Sequence, residues 1–139
     1  MSLECIFCKI VKGDIHSVRV YEDNEVLAFM DIGPVVKGHV LVIPKKHHNP
    51  MMEAPPEILQ KLITVVQLIA KAQMAALQAD GINVSQANGS VAGQVVPHIH
   101  FHVIPRFASD DYHGKWIPKS YDTPQEMQTF ADRIREAIR

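Results

Sequence analysis

Residues 98–104 read His-Ile-His-Phe-His-Val-Ile, an alternation of imidazole and apolar side chains with a period of two. A helix would scatter these residues around its axis, whereas a strand puts every second side chain on one face. The segment is therefore expected as a strand. His98, His100 and His102 line one side of it, and Ile99, Phe101 and Val103 the other. A strand needs neighbours, and the chain supplies them. Residues 18–22 and 26–31 are short and β-rich, with the polar Asp23-Asn24-Glu25 between them, which reads as a hairpin. After Gly38, His39 to Ile43 forms an apolar run halted by Pro44, as a buried strand would. Residues 82–87 make a further strand. Pro55 and Pro56 suit the first turn of a helix. Leu59, Leu62, Ile63, Val66, Ile69, Met74 and Leu77 then recur at helical spacing, predicting a long helix over residues 56–80 with Gly81 as its stop. Thr123 caps a second helix with Pro124 at its first position and Met127, Phe130, Ile134 and Ile138 along one face. The fold class is α+β: an antiparallel sheet with one long helix packed across it and a C-terminal helix. At 139 residues the chain is the size of one domain, residues 1–139.

Charge and composition narrow the function. A net charge of −1 without any run of like charge disfavours a nucleic-acid polymer as partner and favours a small molecule. Leu62 to Ala70 is the longest apolar stretch. It is interrupted by Thr64 and Gln67 and flanked by Lys61 and Lys71, too short to span a bilayer. Glu4 and Cys5 stand where the apolar part of a secretion signal would begin, so a cytoplasmic location is expected. The two cysteines, Cys5 and Cys8, have C-x-x-C spacing. Without export they point to a metal or redox role, or to two buried thiols, rather than a disulfide framework.

Three imidazoles on one strand face allow two chemistries. They could ligate a catalytic metal, or one could act as a nucleophile while its neighbours handle phosphate oxygens. The outer pair would lie about 13–14 Å apart at Cα, which disfavours one metal touching all three. The preceding loop, Asn88 to Gln94, carries Gly89 and Gly93. A tight turn there can aim successive backbone N–H groups at an anion. A glycine loop feeding directly into co-facial histidines favours the phosphate reading.

These residues closely resemble a known family. Gly93-Gln94-Val95-Val96-Pro97-His98-Ile99-His100-Phe101-His102-Val103-Ile104-Pro105-Arg106 is similar to the signature of the histidine triad (HIT) family. The likeness extends upstream through Ile6-Phe7-Cys8-Lys9-Ile10, Val20-Tyr21-Glu22-Asp23, Leu27-Ala28-Phe29-Met30-Asp31 and Gly38 to His47. It covers residues 5–106, with 107–139 as a C-terminal extension. The resemblance implies a hydrolase or nucleotidyl transferase acting at the α-phosphorus of dinucleoside polyphosphates or nucleoside phosphoramidates. His100 would be the nucleophile and become covalently nucleotidylated. His102 and the loop at Gly93 would stabilise phosphate oxygens, Gln94 would position the leaving group or water, and His39 would buttress the triad. Asp31 would hold the ribose, Phe7, Ile10, Phe29 and Ile32 would form an apolar slot for the base, and Asn88 would stand near the phosphates. Ala87 and Val95 depart from the family pattern, which more often has a polar residue at the first position and a small hydroxyl residue at the second.

The resemblance further implies structural zinc on Cys5, Cys8, His47 and His98, with His48 the rival for His47, and no organic cofactor. It implies a nucleotide ligand, purine preferred, and a homodimer in which the segment around Trp116 reaches the partner's site. His16 and His113 read as surface residues. The rival reading is a nucleotide-binding or sensing module with little turnover.

Overall fold

The computed structural model describes residues 5–138. Its elements are helix α1 (Ile6–Lys12), strands β1 (Arg19–Glu22), β2 (Val26–Met30) and β3 (Val40–Pro44), helix α2 (Pro56–Leu77), strands β4 (Gly81–Gln86) and β5 (Phe101–Arg106), and helix α3 (Pro124–Glu136). The strands form one antiparallel sheet in the order β1-β2-β3-β5-β4. The expected sheet, long helix and C-terminal helix are all present.

Every residue of β2 and β3 is buried because both faces of the sheet's centre are covered. Val26, Ala28, Met30, Val40 and Val42 turn to one face, where they meet Leu62, Val66 and Ile69 of α2 and Ala131 and Ile134 of α3. Leu27, Phe29, Leu41 and Ile43 turn to the other, where they meet Cys5, Phe7, Cys8 and Ile10. That alternation explains the unbroken apolar run in the sequence. His102 pairs with Leu41 in register, so it shares the face that carries α1. The functional face is the α1 face.

Helix α1 is absent from the sequence-based expectation. Its seven residues are defined by their ends: the Cys5 Sγ accepts from the Cys8 N–H at 3.4 Å, and Gly13 closes the helix with a φ of +86°. Helix α2 ends at Leu77, not near 80. Gln78 adopts the left-handed cap (φ +56°) and the Asp80 N–H already bonds the Arg106 carbonyl, so Gly81 opens β4 instead of stopping the helix. By length and composition alone α2 could cross a membrane, but its Ile58, Leu62, Val65, Val66, Ile69, Ala72 and Gln73 are buried in the described fold, as in a core helix.

Strand β5 starts at Phe101, three residues later than the expected 98. The Ile99 N–H bonds the His48 carbonyl, outside the β3–β5 ladder, so His98 and His100 lie on an extended approach to the strand. Just before β3, Gly38 has a φ of +101°, and an added Cβ would stand 2.7 Å from Leu77 Cδ1 and 2.9 Å from Pro105 Cγ. Gly38→Ala is therefore expected to lower stability by about 2 kcal/mol or more, measured by urea unfolding, through strain and overpacking together.

Candidate active site

The triad histidines separate into three environments. His98 is fully buried. Its Nε2 lies 2.8 Å from the Pro44 carbonyl, which can only accept, so Nε2 carries the proton and Nδ1 the lone pair. That Nδ1 is 3.4 Å from Cys5 Sγ and 3.7 Å from Cys8 Sγ, and His47 Nδ1 is 3.3 Å from Cys8 Sγ. All four ligand atoms lie within 4.8 Å of one another. Tetrahedral zinc with bonds of about 2.3 Å to sulfur and about 2.0 Å to nitrogen would have sulfur–nitrogen edges of about 3.5 Å, and this donor set fits it. Burial holds the His98 imidazole down at about 4 and raises the Cys8 thiol to about 11. His48 stands outside this cluster and serves through its backbone carbonyl.

His100 has its Nδ1 2.8 Å from the His98 carbonyl. The proton is therefore on Nδ1, and Nε2 holds the free lone pair. Burial lowers its pKa, partly offset by that carbonyl and by Asp31, which favours the neutral ring. The Phe7 ring meets it edge-on at 5.1 Å.

His102 and His39 form a relay. The Val35 N–H donates to His39 Nδ1 at 3.3 Å, so His39 carries its proton on Nε2, 2.9 Å from His102 Nδ1. His102 in turn keeps its own proton on Nε2, as its remaining donor. Burial is the main force holding both rings near 3, so both are neutral at ordinary pH. Asp31 Oδ2 is 3.5 Å from His39 Nε2, and Asp31 Oδ1 accepts from the Gly33 N–H at 2.8 Å. Among the described residues, the three triad rings do not form a common metal-ligand group.

A cavity of about 450 Å³ opens onto His100 and His102 and is lined by Phe7, Ile10, Phe29, Asp31, Ile32 and Gly93, all expected there. Phe7, Ile10 and Phe29 are buried, whereas Ile32 is 78% exposed and forms the rim. Ile6, Ile15, His16, Ser17, Leu41 and Val95 also line it. A wider depression of about 620 Å³ beside Val35, Lys37 and Arg133 contains none of the histidines.

Two expected contributors are placed elsewhere. Asn88 is not part of the cavity lining; its Oδ1 accepts from the Met51 N–H and its Nδ2 donates to Gln86 Oε1. Gln94 is also outside the lining. Its Oε1 accepts from the Gly89 N–H at 2.7 Å, and its Nε2 donates to Asn49 Oδ1 and the Val96 carbonyl. Both side chains fasten the loop. The anion-binding concavity expected from the loop amides is altered as well. The N–H groups of Ala92, Gly93 and Gln94 bond carbonyls inside the loop, because Gly89 and Gly93, with φ of +90° and +98°, fold it back on itself.

The segment after β5 returns over the site. Trp116 packs on the His102 and His39 rings of its own chain, at 4.7 and 5.7 Å between centroids. Lys119 anchors the segment, its N–H bonding the Pro34 carbonyl and its Nζ the Val35 carbonyl, and Tyr121 accepts from the Gly38 N–H. His113 is exposed, as expected; His16 is exposed too, but it stands at the cavity.

Residues 12–109 match the HIT domain family. The chain belongs to that family. Over 136 residues this HIT chain is 42% identical to Protein hit of Bacillus subtilis, covering 96% of itself and 94% of that protein. It is 39% identical over 137 residues to an adenosine 5′-monophosphoramidase of Schizosaccharomyces pombe, covering 99% and 100%. Among solved structures, a zinc-bound histidine triad family protein from Mycobacterium smegmatis superposes with a TM-score of 0.87 at 37% identity, covering 99% of this chain and 95% of that one.

Proposed function

We propose that this protein cleaves nucleoside phosphate derivatives, phosphoramidates or dinucleoside polyphosphates, at the α-phosphorus through a nucleotidyl intermediate on His100. The observation that carries the reading is the His100 hydrogen bond. Its Nδ1–H is engaged by a backbone carbonyl, which leaves an unprotonated Nε2 on a ring that lines the cavity. In the first step the Nε2 lone pair forms a bond to phosphorus while the bond to the leaving group breaks. The leaving group takes up a proton from solvent as it departs. In the second step water attacks the same phosphorus and gives a proton back to solvent, while the P–N bond breaks and its electron pair returns to Nε2.

His102 is suited to donate its Nε2–H to a phosphate oxygen, because His39 fixes its tautomer through the 2.9 Å contact. Asp31 Oδ2 is available to ribose hydroxyls, and Phe7, Ile10, Phe29 and Ile32 offer a base apolar surface. Gly93 borders the phosphate end of the cavity, and Gln94 and Asn88 act through the loop they fasten. Zinc would be held by Cys5, Cys8, His47 and His98, where it supplies a structural cross-link rather than a reacting group. The reading includes a homodimer, since Ile63, Met74 and Val84 are left exposed on α2 and the β4 edge, and a single domain, residues 1–139, in the cytoplasm.

The test is mass spectrometry of acid-quenched protein after brief exposure to adenosine 5′-phosphoramidate. An adenylyl adduct mapping to His100 is the expected result. Turnover without any adduct, at times when it should accumulate, would count against the covalent route.

A further inference from the structure

We propose that His16 and Ser17 read the polar edge of the substrate base, making this a pocket selective for purines with a hydrogen-bonding group at C6. The inference rests on the nucleotide reading above and extends it to the specificity of the same site.

The strand order lays the cavity out as a line. His100 and His102 belong to β5 and its approach, Leu41 to β3, Phe29 and Asp31 to β2 and its end, and His16 and Ser17 to the stretch just before β1. The Met30 N–H bonds the Val18 carbonyl, which carries the β1–β2 pairing up to Ser17 and Asp31. From β5 to β1 is three strand spacings, about 14 Å. A nucleotide whose phosphorus is at His100 and whose ribose is at Asp31 must therefore extend its base toward Ser17 and His16.

The walls at that end are Phe7, Ile10, Ile15 and Phe29. Apolar walls hold the faces of any base, but they cannot distinguish one base edge from another. Two polar side chains interrupt them. The Ser17 hydroxyl is buried and has no hydrogen-bond partner among the described residues. In this rotamer the hydroxyl is turned away from the cavity that Ser17 lines; a rotation about χ1 presents it there, where a base atom completes a bond that the protein leaves unmade. His16 is exposed at the same end, with an imidazole that can donate and accept. A hydroxyl beside an imidazole can satisfy either a 6-amino or a 6-oxo group, and neither can bond a hydrogen on carbon.

The experiment compares dissociation constants of AMP, GMP and purine ribonucleoside 5′-monophosphate, which has hydrogen at C6, for the full chain and for Ser17→Ala and His16→Ala. Unmodified protein is expected to bind AMP or GMP about tenfold more tightly than the 6-hydrogen nucleotide, the worth of one buried hydrogen bond. Each alanine variant should shrink that ratio toward one while leaving affinity for the 6-hydrogen nucleotide unchanged. Ser17→Ala removes an orphaned hydroxyl, so its melting temperature should not fall. Equal binding of all three by the unmodified protein, or an unchanged ratio in both variants, would overturn this proposal alone. Failure of the unmodified protein to bind any of the three would overturn the nucleotide reading with it.

Discussion

His100→Asn lowers hydrolysis of adenosine 5′-phosphoramidate by at least about a thousandfold while AMP binds with nearly unchanged affinity: this is the expected result of removing a covalent catalyst whose neighbours remain. The asparagine side chain can still donate to the His98 carbonyl that now holds His100 Nδ1–H, so the backbone on either side has no cause to move. What disappears is the unprotonated Nε2. His39→Asn should cost less, because His39 is fully buried behind His102 and acts through that ring's tautomer. Single-turnover rates and AMP titration on the same preparations separate the two effects. If His100→Asn keeps more than a tenth of the unmodified rate on the best substrate found, the covalent route is wrong. If both rate and AMP affinity collapse together, His100 is a binding residue first.

The parts of this site legible in sequence were those written in a period. The His-x-His-x-His alternation required a strand, and His102 does pair with Leu41 on the functional face. Alternation could not reveal that the ladder starts only at Phe101, because Ile99 is claimed by the His48 carbonyl, a contact across 51 positions of chain. The same limit applies to α1. Seven residues are too few for periodicity to declare a helix, and its two ends are set by a cysteine cap and Gly13. Cys5, Phe7, Cys8 and Ile10 came from the family resemblance instead, and that register brought them to the right face. The family resemblance gave Gln94 the leaving group or water and Asn88 a place near the phosphates. Their partners, Gly89, Asn49 and Met51, instead make them fasteners. His16 read as an ordinary surface residue, since only the strand order shows that the start of β1 is the far end of the cavity.

The second large effect is expected at the cysteines. Protein purified without chelator should contain about one zinc per chain, and the Cys5→Ser/Cys8→Ser double variant should contain none. Its melting temperature should fall by at least about 10 °C, the shift that losing a few kcal/mol produces in a chain of this size. The size of the loss follows from what the cluster joins. Cys5 caps α1, Cys8 lies within it, His47 follows β3 and His98 precedes β5, so one cross-link ties three separate segments. Turnover is predicted to respond differently from stability. His98 is also anchored through its Nε2–H to the Pro44 carbonyl, independently of the cluster, and its own carbonyl holds His100. A chelated sample that remains folded, at a temperature well below its lowered midpoint, should therefore still hydrolyse the phosphoramidate. Loss of turnover with circular dichroism and melting temperature unchanged would mean that a metal takes part in the chemistry. Zinc retained undiminished in the double variant would remove the cysteines from the site altogether.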